Sequence, residues 1–273
     1  MVCSTAKGRW CGLFVLWALA APVLAADCAA PTPSAQLDQV QSRWQEFNAQ
    51  GQRLVKESGW LHGTTLALAG DCTAWQWQAQ WSYASGTRHY DGVSSVGAAV
   101  QTRSQIQRNQ LQLTGWLPMT STWALGTRLG WTQLDRDIAS AGPAQGYPEQ
   151  FRYADVAVGA RYAVAGPDGT QWTVQAWLGG GPAGTLHLQL PRMDAAKLRL
   201  GSSKKAQLGL TWEQPVSVLQ GLSWHAGAQL QYERMRAGPS QALTRNGLLV
   251  GAAAQPQTRQ TSAGLDVGLL YRF

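Results

Sequence analysis

The chain has 273 residues, only 14% of them charged, with a formal net charge of +7, 30 glycines and 14 tryptophans. No apolar run downstream of the N-terminus is long enough for a membrane-spanning helix, which excludes a helical membrane protein. The sequence has no Gly-x-Ser-x-Gly, no His-Glu-x-x-His, no phosphate-binding glycine loop and no cluster of metal ligands, so neither a metal nor another cofactor is expected.

In chain order, Lys7 and Arg9 precede an apolar run from Cys11 to Leu24, and Val23-Leu24-Ala25-Ala26 supplies small residues for cleavage. Residues 1–25 are expected to be a secretory signal peptide. Cys28 follows Asp27 rather than a small residue, so lipidation is not expected. Cleavage leaves roughly 248 residues (273 minus 25) and a charge of +5 (7 minus 2, for Lys7 and Arg9). We expect residues 26–38 to be a periplasmic N-terminal segment and 39–273 to form one domain.

Alternating segments follow near 52–69, 74–90, 104–117, 121–138, 151–165, 171–188, 203–214, 222–236 and 262–273. Trp75, Trp77, Ala79, Trp81 and Tyr83 alternate with Gln76, Gln78, Gln80 and Ser82. Trp123, Leu125, Thr127, Leu129 and Trp131 alternate with Ala124, Gly126, Arg128, Gly130 and Thr132. Side chains of a strand point alternately to its two faces, so each such segment has one face for lipid and one polar or small face. In an exported chain, this pattern implies a closed barrel or a soluble β protein. The last segment decides between them. Leu265, Val267, Leu269, Tyr271 and Phe273 share one face, and the terminal aromatic resembles the closing strand of bacterial outer-membrane β-barrels. The resemblance implies localisation to a Gram-negative outer membrane and recognition by the barrel-assembly machinery through Phe273.

Short connections at Gly70–Thr73, Pro118–Ser121, Ala165–Thr170 and Pro215–Gly221 alternate with long ones at Asp91–Arg103, Ala139–Gln150, Pro191–Ser202 and Arg236–Gln260. Outer-membrane barrels place short turns in the periplasm and long loops outside. Nine strands conflict with the even count of single-chain barrels, which predicts a further strand ending before Asn48-Ala49-Gln50-Gly51, a hairpin turn. Leu37, Val40, Trp44 and Phe47 also match helical spacing, so a helix over 35–48 competes with that strand. The fold class is therefore an all-β, transmembrane up-and-down antiparallel barrel of about ten strands. The outward pairs Trp75/Tyr83, Trp123/Trp131 and Trp224/Tyr232 span roughly 20 Å along the membrane normal, close to the height expected between aromatic girdles. Cys28 and Cys72 both fall on the periplasmic side and are expected to pair.

Three groups of residues bear on function. Arg128, Asp155, Arg161, Glu213, His225 and Asp266 are predicted to face the lumen and pair there, since an unpaired buried charge is costly. Arg192, Lys197, Arg199, Lys204 and Lys205 cluster across one outer loop and its flanks, offset only by Asp194, and fit either lipopolysaccharide phosphates or a solvated basic rim. Arg234, Arg236, Arg245 and Arg259 mark a second basic region, and a nucleic-acid partner is not expected. The last long loop holds Leu248, Leu249 and Val250, fit either to close the mouth as a lid or to meet a partner. The favoured function is a non-enzymatic outer-membrane protein: structural, surface-binding or weakly conducting. The alternative is an outer-membrane hydrolase, an omptin-like protease or a lipid-A-modifying enzyme, at the extracellular lip. Its nearest ingredients are His89, Asp91, Asp135, Asp137 and His187, and no omptin motif surrounds them. Asp135 and Asp137 share parity with Trp131 and should point outward.

Overall fold

The structure is a computed structural model that describes residues 28–93 and 97–273. The expected signal peptide lies outside the described residues. Among the described residues fourteen strands follow one another: β1 (Thr32–Phe47), β2 (Arg53–Asp71), β3 (Gln76–Val93), β4 (Ala99–Pro118), β5 (Trp123–Ile138), β6 (Tyr147–Ala165), β7 (Gln171–Gly181), β8 (Thr185–Leu188), β9 (Ala196–Arg199), β10 (Ser203–Pro215), β11 (Leu222–Met235), β12 (Gln241–Arg245), β13 (Leu248–Ala253) and β14 (Gln257–Tyr271). Ten of them close a ring in the order β1-β2-β3-β4-β5-β6-β7-β10-β11-β14, with β14 pairing back onto β1. Every neighbouring pair in the ring is antiparallel. Closure leaves no wall strand with an unpaired edge, the condition for exposing a sheet to lipid.

The strand predicted before Asn48 is present and displaces the helical alternative. Asn48 Oδ1 accepts the Gln50 and Gln52 amides at 3.1 and 2.8 Å, and Gly51 adopts φ 78°. The strand starts earlier than expected. Residues 32–38, assigned to a periplasmic segment, are part of the barrel wall, with Ser34 opposite Leu270 and Leu37 opposite Val267. Its pattern is weak because Gln39, Gln41, Arg43 and Gln45 occupy the outward face above Leu37. Pairing on both edges holds it instead.

The predicted 171–188 segment is interrupted. Gly179-Gly180-Gly181-Pro182 ends β7, and β8 then pairs with the upper end of β6 while β9 pairs with β8. Beside this excursion, β12 and β13 form a separate two-stranded hairpin in the last loop.

The outward face divides by height. Leu113, Leu129, Val158, Leu178 and Leu265 are each more than half exposed, an apolar belt that lipid would cover. At its short-turn edge the aromatics touch around the rim: Trp123 with Tyr162 at 4.8 Å, Trp212 with Trp172 and Trp224 at 6.1 and 4.4 Å, and Tyr271 with Phe273 at 4.9 Å. Trp60, Tyr83, Trp131 and Tyr232 mark the opposite edge. Above them the outward positions turn polar and basic. A Cys28–Cys72 disulfide ties the start of the chain to the β2–β3 turn at the short-turn end.

Candidate functional site: the lumen and the outer lip

Inward-facing residues form three tiers. Lowest, at the short-turn mouth, Arg272 donates to both oxygens of Glu213 at 2.6 and 2.9 Å, and Arg161 donates to Gln76. A cavity of about 390 Å³ lies there, lined by Thr120, Thr122, Gln171 and Arg272 among others.

The middle tier holds a stack across the lumen. Arg161 lies 4.7 Å over Trp116, Trp116 packs 4.6 Å from Trp177, and Arg128 lies 4.6 Å over Trp177. Gly126 and Gly159 make room for it, since a Cβ on them would fall 2.5 Å from Trp116 and 2.4 Å from Trp177. Arg128 also donates to Gln207 at 2.9 Å. On the opposite wall, His225 Nε2 lies 3.2 Å from Gln36 and 3.9 Å from Asp266, while Asp38 accepts Thr65 at 2.7 Å. A cavity of about 280 Å³ lies between these walls, lined largely by amides such as Gln78, Gln80, Gln112 and Gln229.

The upper tier closes the barrel. Arg136, almost fully buried, donates to Glu57 at 2.9 Å, to Glu46 at 2.8 Å and to Glu149 at 2.8 Å. Glu57 also accepts Ser104 at 2.6 Å and lies 3.7 Å from Arg88, which donates to Ser42 at 2.7 Å. Around this cluster packs an apolar group from the wall (Val40, Trp44, Leu61, Ile106, Leu134, Phe151) and from the β8–β9 excursion (Leu186, Leu188, Leu198, Leu200). The four excursion leucines are each at most 7% exposed and pack against inward wall residues at the long-loop end. The lid is thus β8–β9. Leu248, Leu249 and Val250, for which the sequence left open a lid or a partner contact, stand exposed and do not form the lid.

The six residues predicted for the lumen all face it, but they do not form one network. Arg128 and Arg161 bracket the tryptophan stack, Glu213 binds Arg272, His225 approaches Asp266, and Asp155 lies 3.6 Å from Lys205. This last contact corrects the basic-loop group: Lys205 is buried in the lumen, because β10 already alternates there and Lys204 takes the outward position. Arg192, Lys197 and Arg199 are exposed on the excursion. The Arg136 cluster escaped the sequence reading, although Arg136 shares parity with inward Arg128 and lay within a predicted strand.

The five lip candidates are not gathered. His89 and His187 are exposed, and Asp91 pairs at 3.5 Å with exposed Arg53. Asp135 lies on the outer wall, accepting Gln133 and Gln150 at 2.9 and 2.6 Å, and Asp137 is exposed beyond it. These positions follow from strand parity.

Asp194 anchors the lip. It accepts Thr244 Oγ1 at 2.7 Å and the Gly247 and Asn246 amides at 3.0 and 3.1 Å, and Arg245 donates to the Arg192 carbonyl at 2.9 Å. The Gly247 amide bond, then the Thr244 hydroxyl, holds the Asp194 carboxyl below the usual carboxylate range. A carboxylate held down in the docked state contributes docking at and above its ordinary range and loses it as pH falls through its lowered value. The β12–β13 hairpin should therefore stay docked at neutral pH and loosen only in strong acid. Asp194→Ala should speed amide exchange at Asn246 and Gly247 by about tenfold at neutral pH, read by hydrogen–deuterium exchange. Unchanged exchange would rule out this anchor.

No family model and no curated protein matches the sequence. Solved structures do. The outer membrane protease OmpT from Escherichia coli aligns with a TM-score of 0.57 at 11% identity, over 89% of this chain and 96% of that one. The translocator domain of the autotransporter NalP from Neisseria meningitidis aligns at 0.45 and 12% identity, over 89% and 88% of the two chains. Neisserial surface protein A aligns at 0.36 and 9% identity, over 88% and 97%. The two lower scores carry no argument. The class is defined by the closed ring, its apolar outer belt and the OmpT match in fold: this is a ten-stranded antiparallel β-barrel with the fold of outer-membrane barrels.

Proposed function

We propose that the chain is a non-enzymatic surface-binding protein of the Gram-negative outer membrane, with a lumen closed to the outside. The observation that carries this reading is the sealed upper tier: the leucine lid and the Arg136 cluster fill the place where a hydrolase of this architecture would need an open cleft. A lip enzyme requires two titratable residues within hydrogen-bond reach facing one substrate. His89, Asp91, Asp135, Asp137 and His187 are spread over the outer surface, so the proteolytic activity for which OmpT is named is not carried over.

Lipopolysaccharide is the proposed lipid partner. Lys204 lies directly opposite Arg234, and Arg234 directly opposite Arg259, on adjacent strands. All three point outward, and Arg234 is the next outward residue above the girdle residue Tyr232. Like charges facing one another across strands destabilise a sheet unless a counter-ion joins them, and lipid phosphates sit at this height. Changing all three to Gln should weaken binding of diphosphorylated lipid A by about tenfold or more, with little change for a dephosphorylated form. Equal binding of both lipids by the wild type would remove this site. The proposed insertion route is the barrel-assembly machinery, reading the Tyr271 and Phe273 face of the last strand.

A further inference from the structure

The β12–β13 hairpin is the part of the outer surface that the sealed barrel does not explain. Its two-residue turn, Asn246-Gly247, has φ of 51° and 77°, the left-handed pair that a tight hairpin turn requires. Arg245 pairs with Leu248 across it, so the tip has a defined shape. Immediately after the turn come Leu248, Leu249 and Val250, exposed at 72%, 71% and 46%. Gly247 and Gly251 beside them have nothing within 4 Å of a Cβ position, so the apolar side of the tip faces open space while Asp194 holds its backbone.

The charge around this tip is largely cationic. Arg245 is the one charged residue of the hairpin, and no Asp or Glu occurs between Glu233 and Asp266. Arg192, Lys197 and Arg199 border the hairpin on the excursion, and their sole acidic neighbour in that loop, Asp194, already accepts three hydrogen bonds from the hairpin. The tip therefore combines a convex aliphatic point with a cationic surround.

Height decides which surface it can meet. Leu188 pairs with Glu149 and Glu149 with Arg136, five residues (136 minus 131) above the girdle residue Trp131. At about 3.3 Å per residue and a tilt near 40°, that level lies about 13 Å above the interface. Asp194, which holds the turn, follows Leu188 at the end of β8 farthest from the girdle. The tip is thus out of reach of the acyl chains of its own bilayer. A second copy is disfavoured as occupant, because it would bring two cationic tips together. A pocket-bound protein contact usually centres on an aromatic or arginine anchor in a concave site, whereas this tip is convex and aliphatic.

We propose that the β12–β13 tip inserts into an apposed anionic lipid bilayer, with Leu248, Leu249 and Val250 entering the interface and the surrounding arginines and lysines meeting lipid headgroups. Apolar insertion and attraction to anionic lipid act together in such contacts. The inference rests on the surface-binding reading and names the surface.

The test uses the full barrel in nanodiscs of phosphatidylcholine, mixed with vesicles of phosphatidylcholine alone or with phosphatidylglycerol. Wild type should co-sediment with the anionic vesicles at least about tenfold better than with neutral ones, and high salt should reverse this. Replacing Leu248, Leu249 and Val250 by Ser should abolish sedimentation without moving the thermal unfolding of the barrel. A polarity-sensitive dye on Leu249→Cys should shift to the blue with anionic vesicles. Binding that ignores lipid charge, survives the triple Ser change or leaves the dye unshifted would overturn the proposal. So would capture by cell-derived membranes that trypsin abolishes, with no binding to pure lipid, since that assigns the tip to a protein partner. If vesicle binding fails while the wild type shows no current and no hydrolysis, only the insertion proposal falls. Current or hydrolysis by the wild type would remove the surface-binding reading instead, whatever the vesicles show.

Discussion

Arg136→Leu should cost about 3–5 kcal/mol of stability, the largest effect we expect from any single substitution in this barrel. The guanidinium is buried at the centre of Glu46, Glu57 and Glu149, each bound at 2.8 to 2.9 Å. Its removal leaves three buried carboxylates with one nearby guanidinium, Arg88, which reaches only Glu57 and at 3.7 Å. Forming such a cluster gains little over apolar packing, but breaking it strands charge in a dry interior, and that asymmetry sets the magnitude. Arg136→Lys should recover part of the loss, because an ammonium keeps the charge but not the planar fork that reaches several carboxylates. Urea unfolding in detergent micelles, followed by tryptophan fluorescence, measures both. A loss below about 1 kcal/mol for Arg136→Leu would mean that the carboxylates find other partners, and the cluster would lose its place as the clamp of the outer end.

The second large effect concerns conduction. Wild-type protein should give no resolved current steps in a planar bilayer, because the β8–β9 leucines and the wall residues around Phe151 close the lumen. Replacing residues 183–201 by a short Gly-Ser turn removes that lid and should produce discrete steps. Burying each of Leu186, Leu188, Leu198 and Leu200 contributes about 1.5–3 kcal/mol, so the excursion is held firmly and spontaneous opening should be rare. If the shortened protein stays silent, Trp116→Ala and Trp177→Ala in that background should open the next constriction, the arginine–tryptophan stack. Steps from the wild type would show that the upper tier does not seal the pore.

Much of the barrel could be read from residues. Trp123 to Trp131 and Leu265 to Phe273 alternate with period two because one face meets lipid and the other a lumen, and that pattern located nine wall strands. The even-count rule and the Asn48-Gly51 turn located the tenth. The same parity placed Asp135 and Asp137 on the outside, and it places Lys205 inside once it is applied to the flank of the loop, since 204 and 205 lie in the predicted 203–214 strand. Asn246-Gly247 is a strong hairpin signal that lay within a loop long enough to hide it. The extent of β1 was not legible, because its outward Gln39, Gln41 and Arg43 lack the apolar pattern and the strand is held by backbone pairing on both edges.

The class of protein, its ten wall strands and the parity of the residues along them are legible in the residues alone, since period-two alternation and turn chemistry are local and survive without knowledge of partners. The sequence did not determine which inward residues meet. Arg136 reaches Glu46 and Glu57 from the far side of the chain, 90 and 79 positions away, through the curvature of a closed wall. Nor did it determine which loop covers the mouth: Leu186 and Leu248 are equally apolar in sequence. Only the tertiary structure, by extending β6 into pairing with β8, turned the first inward as a lid and left the second at an exposed tip.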